Sequence, residues 1–175
     1  MTALSRRSPP SGRAAPAPRI DVSPVALVSP HDAADAGWLA LRCELWPEAS
    51  AAEHLRDMAD ALRRGHFVRL VRDVDGTAVA FVEASRRNDY VNGTASSPVG
   101  FLEGLYVVPA HRRQGVGRAM VSAVCDWAAA QGCTELASDS LLDNLDAHAV
   151  HRALGFTETE RVVCFCRPLP SPRLA

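Results

Sequence analysis

Residues 99–132 read VGFLEGLYVVPAHRRQGVGRAMVSAVCDWAAAQG, and the fold is decided by how this stretch divides. From Val99 to Val108 nearly every position is apolar, the pattern of a strand buried on both faces. Pro109 closes that run, and the segment opening at Gly115 carries apolar residues at helical spacing as far as Gly132. A second strand is expected at TELAS, 134–138. Strand, helix and returning strand make a βαβ crossover, which needs a parallel pair of strands at its centre. Between them lies a turn made of Arg112, Arg113, Gln114, Gly115, Val116, Gly117 and Arg118. Backbone N–H groups unobstructed at two glycines, at the start of a helix and beside arginines, can converge on an anion. A close helix–strand contact is the alternative use of the same glycines. A dinucleotide fingerprint would need Gly or Ala at Met120, and a P-loop would need Gly-Lys-Ser/Thr, so both are excluded by spacing.

The flanking sequence supplies the rest of a single domain. HDAADAGWLALRCELW (31–46) reads as a helix ended by Pro47, after a short strand at VALVS. SAAEHLRDMADALRRG (50–65) reads as a second helix, with Ser50 and Glu53 as a capping box and Gly65 as the stop. HFVRLVRDVDGTAVAFVEAS (66–85) gives two strands joined by a tight turn at Asp75-Gly76, followed by a polar loop from Arg86 to Pro98. A helix at 142–154 and a terminal strand at 156–169 complete the chain. The expected class is α/β (α+β), a mixed central sheet flanked by helices. Residues 25–168 form the domain, 1–24 a disordered Pro/Ala/Arg-rich extension, and 169–175 a short tail.

Composition narrows the partners. With 47% hydrophobic residues, 22% charged residues and a formal net charge of −1, the 175-residue chain is an ordinary globular one without bulk attraction to nucleic acid or anionic lipid. No stretch has the length of a membrane span. All 19 basic residues are arginine, which removes any lysine Schiff-base mechanism. Cys43, Cys125, Cys133, Cys164 and Cys166 form no CxxC pair, so free thiols in a reducing cytoplasm are expected and no metal site.

RRQGVG resembles the R/Q-x-x-G-x-G/A element of the GCN5-related N-acetyltransferases, whose loop cradles the pyrophosphate of acetyl-CoA, and Asn144 with HRALGF (151–156) resembles the second half of that cofactor site. LWP (45–47), DYVNG (89–93), SPVGFLEGLYV (97–107), ASD (137–139) and HRALGFTETERVV (151–163) resemble the aminoglycoside 6′-N-acetyltransferases. The resemblance implies acetyl transfer from acetyl-CoA to the 6′-amine of an aminoglycoside, with no metal, by a homodimer. It implies that Trp46 and Tyr90 contact the drug and that the backbone of Leu105, Tyr106 and Val107 aligns the pantetheine arm.

An aminoglycoside is a polycation, so its pocket needs carboxylates, and Glu103, Asp139 and Glu160 are the candidates. Glu103 is the sharpest, because a carboxylate inside an apolar strand costs stability unless it has a partner, such as a neighbouring arginine, or a task. Asp139 could instead cap a helix, Glu160 could be solvated, Trp46 could be core and Tyr90 a loop anchor. The expected mechanism is direct transfer, with Glu103 or Asp139 as base, acting directly or through a water. The family places a tyrosine at the position of His151, so His151 is the candidate acid for the leaving thiolate. Acetylation of a protein N-terminus or another polyamine, and acetyl-CoA binding without catalysis, are the competing readings.

Overall fold

The structure, a computed structural model, describes residues 26–169. The expected extension at 1–24 and all but the first residue of the expected tail at 169–175 lie outside the described residues. Helices α1 (Ala36–Leu45) and α2 (Ala51–Arg63) come first, followed by strands β1 (Phe67–Arg72), β2 (Ala78–Arg87) and β3 (Val99–Val107). Helix α3 (Val116–Ala130), strand β4 (Leu136–Ala137) and helix α4 (Leu145–Ala153) complete the order. The sheet runs β1-β2-β3-β4; the first three strands are antiparallel and β4 lies parallel to β3. The βαβ unit anticipated from residues 99–138 is therefore present, in an α+β fold with a mixed sheet.

Strand alternation divides β2 between two cores. Ala80, Val82 and Ala84 pack with Val116, Met120 and Val124 of α3 on one face. Phe81 packs with Trp38, Leu41 and Met58 of α1 and α2 on the other. Each fully buried Phe, Met or Leu side chain contributes roughly 1.5–3 kcal/mol relative to exposure.

Glu83 shares the Phe81 face and is 3% exposed. Arg42 meets both of its oxygens at 2.6 and 2.5 Å, and Trp38 Nε1 donates to Oε1 at 2.6 Å. Arg42 Nε lies 3.4 Å from His54 Nδ1, and His54 Nε2 lies 3.1 Å from the Trp46 carbonyl. A carbonyl only accepts, so Nε2 carries the proton and Nδ1 accepts from Arg42. A buried chain of polar groups thus links β2 through α1 and α2 to Trp46.

Several boundaries move for identifiable reasons. Helix α1 begins five residues late because Asp35 is its N-cap: the carboxylate accepts from the N–H groups of Gly37 and Trp38 and pairs with Arg72 at 2.7 Å. The Ser50–Glu53 capping box forms as expected, and Gly65 follows α2 with φ of +72°. The hairpin turn spans 73–77, wider than a tight two-residue turn, because Asp73 accepts from the N–H groups of Asp75 and Thr77. VALVS contributes one bridge, Val28 to Leu70. Within TELAS only Leu136 and Ala137 pair. Helix α4 starts at Leu145, with Asn144 as its cap.

Two corrections bear on the site. Arg86 and Arg87, read as loop, are the last residues of β2, where they pair with Gly100 and Val99. The terminal strand at 156–169 is absent: the segment has no regular structure, and Val162, Val163, Phe165 and Leu169 are exposed. A strand forms only beside a partner, and β4 pairs with β3 over just two residues. Cys164 and Cys166 accordingly do not sit on a strand, and both are exposed.

Burial opposes ionisation of Asp35, but the Trp38 and His31 N–H groups and the Arg72 guanidinium outweigh it and hold the carboxyl below its usual range. A depressed folded-state value adds stability that is present above the ordinary carboxylate range and is lost as pH falls through the lowered value. Asp35→Ala is expected to lower stability by about 1–2 kcal/mol at neutral pH, as for loss of a helix cap. Urea unfolding across the acid range should show that gap closing as pH falls.

Candidate active site

The site is built around a break in β3. Glu83 of β2 pairs with Gly104 and the next residue, Ala84, pairs with Leu102, which leaves Glu103 as an extra residue. Such a bulge re-aims a side chain. Leu102 and Leu105, three apart, both pack toward α3, while Gly104 and Tyr106 face the α1–α2 side. Glu103 emerges on that second side as well, where Ser85 Oγ donates to Oε1 at 2.5 Å and Arg87 Nη2 lies 3.0 and 2.8 Å from the two oxygens. Its partner is therefore the neighbouring arginine.

Ser85, Arg87, Tyr90 and Glu103 line one groove of about 710 Å³ together with Arg64 and Arg86, whereas Trp46, Asp139 and Glu160 are not part of its lining. Tyr90 is 79% exposed, with its ring face open to a ligand. The extended segment at 159–160 lies against the same loop: a Cβ added at Gly93 would collide with the Thr159 hydroxyl and come within 3.6 Å of Glu160 Cβ. Glu160, itself exposed, is thereby brought beside the DYVNG loop. Trp46 lies half-buried on the α1–α2 side, edge-on to Phe81 at 5.9 Å and under the Arg42 guanidinium at 4.7 Å. Its six-membered ring edge rests on Gly104, where an added Cβ would stand 2.5 Å from Cη2. It is at once a core residue and a wall beside Glu103.

The other edge of β3 faces β4. Pairing between them ends at Phe101 with Ala137, so from Leu102 to Val107 no strand lies on that edge among the described residues. Ser138 Oγ donates to Leu102 O at 3.2 Å where the strands part, and His151 Nε2 lies 2.9 Å from the same hydroxyl. His151 Nδ1 donates to Ala147 O at 2.7 Å, which orients the ring. Asp139 follows immediately, exposed; the cap of α4 is Asn144, whose side chain accepts from Ala147 N at 3.0 Å.

Beyond β3 the glycine turn leads into α3. Gly115 is the N-cap with φ of +83°, Arg113 also has positive φ at 62°, and no side chain caps the first turn. Its N–H groups are the ones a helix leaves without intrahelical partners. A Cβ at Gly117 would meet only Leu105 Cδ2, at 3.9 Å, so the approach is open. Arg112 donates to Val107 O at 2.8 Å, Arg118 to Ala153 O at 3.0 Å and Gln114 to Ala110 O at 3.1 Å. These contacts tie the turn to β3 and α4, while Arg113 is exposed and Val116 is buried in the α3 core. An uncapped helix start among arginines suits an anion. Tyr106 is engaged elsewhere: its hydroxyl donates to Glu44 at 2.6 Å, and that bond, with burial and the nearby negative charge, pushes the phenol up.

The chain belongs to the acetyltransferase (GNAT) family, which residues 36–156 match. It is similar to the aminoglycoside N(6′)-acetyltransferase type 1 of Serratia marcescens, 48% identical over 144 residues that cover 82% of this chain and 98% of that protein. Among solved structures it is similar to the aminoglycoside 6′-N-acetyltransferase AAC(6′)-Ih of Acinetobacter baumannii, with a TM-score of 0.76, 44% identity and coverage of 83% of this chain and 97% of that one. It is also similar to AAC(6′)-Iy in complex with a bisubstrate analogue, CoA-S-monomethyl-acetylneamine, with a TM-score of 0.71, 42% identity and coverage of 77% and 91%.

Ser85, Arg87 and Ser138 were not foreseen as site residues, since each becomes informative only when strand register and the β3–β4 fork are known. The contact between Gly104 and Trp46 is directly testable. Gly104→Ala is expected to displace the indole and cost about 1–3 kcal/mol, as overpacking does. Tryptophan emission and thermal unfolding should both shift; an unchanged spectrum with an unchanged Tm would contradict the contact.

Proposed function

We propose that this chain is an aminoglycoside 6′-N-acetyltransferase that moves an acetyl group directly from acetyl-CoA to the 6′-amine and so confers resistance. The observation that carries the reading is the bulge at Glu103, which presents a carboxylate in one groove with Tyr90, next to the Gly104 on which Trp46 rests, while the strand's open edge serves the donor. Acetyl-CoA supplies the activated thioester. The turn from Arg112 to Arg118 holds its pyrophosphate, with Asn144 near the cofactor at the start of α4. The backbone of Leu105, Tyr106 and Val107 aligns the pantetheine, and an N–H of this strand polarises the thioester carbonyl.

The acceptor arrives as an ammonium and must lose a proton. Glu103, Asp139 and Glu160 bind its cationic groups, Trp46 and Tyr90 pack on its rings, and Glu103 or Asp139 takes the proton, directly or through a water. His151, oriented by Ala147 and Ser138, returns a proton toward the leaving thiolate. Direct transfer is favoured because the free cysteines stand in no arrangement with a paired histidine.

The enzyme works as a homodimer in the cytoplasm. Val163, Phe165 and Leu169, more than three-quarters exposed on an extended segment without a neighbour, support a surface that a second copy covers. Five free cysteines suit a reducing compartment, and no described helix is long and apolar enough to cross a membrane.

The test is release of CoA thiol from acetyl-CoA with tobramycin, amikacin and a peptide panel. Turnover is expected with the aminoglycosides; thiol release only with peptides would overturn the reading. Glu103→Gln is expected to lower kcat/KM for aminoglycosides by about a hundredfold, the scale of a lost general base. Asp139→Asn, measured alongside, assigns the base to whichever carboxylate carries the loss in kcat.

A further inference from the structure

Glu103 already holds a cation from its own chain. Arg87 Nη2 lies 2.8 Å from one carboxylate oxygen and 3.0 Å from the other, and Nε lies 3.3 Å from Oε1. The guanidinium carbon sits 3.3 Å from the centroid of the Phe101 ring, so the cation is cradled between a carboxylate and an aromatic face. An ammonium group on a sugar would seek the same two surroundings.

Comparison with the fully buried Arg42–Glu83 pair shows what is unusual. The Arg42–Glu83 side chains are 7% and 4% exposed and are locked by Trp38 and His54. Those of Arg87 and Glu103 are 40% and 26% exposed and line the groove. Arg87 is the last residue of β2, where the strand gives way to the loop carrying Tyr90. A pair this exposed contributes little to stability and can be exchanged for another cation.

We propose that Arg87 is a resident counter-ion of Glu103, holding the position that an acceptor ammonium takes, and that it makes the site selective for polycations. The inference rests on the reading of Glu103 as an acceptor-binding carboxylate. An acceptor must displace the guanidinium to reach Glu103, and it then stands beside the displaced positive charge. A polycation offsets both costs through its further contacts with Asp139 and Glu160, whereas a small diamine does not. Arg87 is thus a specificity-determining residue whose removal strengthens acceptor binding.

Steady-state kinetics of the full chain with tobramycin, a small aliphatic diamine and acetyl-CoA test this for Arg87→Gln, Arg87→Lys and the Arg87→Gln/Glu103→Gln double variant. Arg87→Gln is expected to lower KM for tobramycin about three- to fivefold, the equilibrium weight of an exposed ion pair, and to raise kcat/KM for the diamine. KM for acetyl-CoA should stay constant. Arg87→Lys should change KM for tobramycin less, and the Arg87→Gln effect should vanish when Glu103 is already Gln. An unchanged or raised KM for tobramycin in an Arg87→Gln protein that keeps the wild-type Tm would overturn the proposal, because Arg87 would then be orienting Glu103. Should Arg87→Gln fail to fold, Arg87→Ala decides by whether its KM for tobramycin falls. Wild-type protein that turns over no aminoglycoside would refute the functional reading itself, a result distinct from active wild type with an unaltered variant.

Discussion

One break in strand register governs the rest of the molecule. A regular strand presents alternate residues to alternate faces, so an uninterrupted β3 would send Leu102 and Leu105 to opposite sides and put Glu103 on the same face as Leu105. The extra residue between Leu102 and Gly104 keeps both leucines in the core beneath α3 while Glu103 stays on the α1–α2 side. The cost of a carboxylate in an apolar strand is thereby removed, because Glu103 meets Ser85, Arg87 and solvent.

The two sides of this strand depend on separate supports. On the α1–α2 side, the buried Arg42–Glu83 pair and the His54 imidazole fix the end of α1, and Trp46 rests on Gly104 of β3, where there is no Cβ. Removing one partner of such a pair costs about 3–5 kcal/mol, since it leaves a buried charge uncompensated, so Trp46 stands on a stiff base. On the β4 side, strand pairing stops after two residues, and the Ser138 hydroxyl and His151 ring mark the fork. The proposed donor and acceptor sites are thus opposite sides of one short length of backbone, which under that proposal brings a thioester and an amine together without a mobile carrier group.

Much of this was legible in the sequence, for reasons that differ by element. The apolar run at 99–108, the glycine turn and the amphipathic helix after it identify the βαβ unit because buried strands and helix starts have strong local signatures. The Ser50–Glu53 box and Gly65 bounded α2 for the same reason. Boundaries set by distant partners were hidden: α1 starts at Ala36 because of Asp35 and Arg72, 37 positions apart in sequence. The apolar alternation in VVCFC suggests a strand, yet pairing depends on a neighbour that the described chain does not supply. In the site, Glu103 stood out as a charge in an apolar run, and a neighbouring arginine was a foreseeable partner. Which arginine could not be read without the register, because Arg87 lies beyond the last apolar residue of β2.

The central claim is that both substrates meet on β3 and that the acetyl group passes directly to the 6′-amine. A single-turnover reaction with isotopically labelled acetyl-CoA and tobramycin, followed by NMR of the product and intact-mass analysis of the protein, tests it most directly. The account predicts one acetyl group on the 6′-nitrogen and none on the protein at any time. Acetylation at another amine, or an acetyl-protein that forms and decays with the kinetics of turnover, would contradict it.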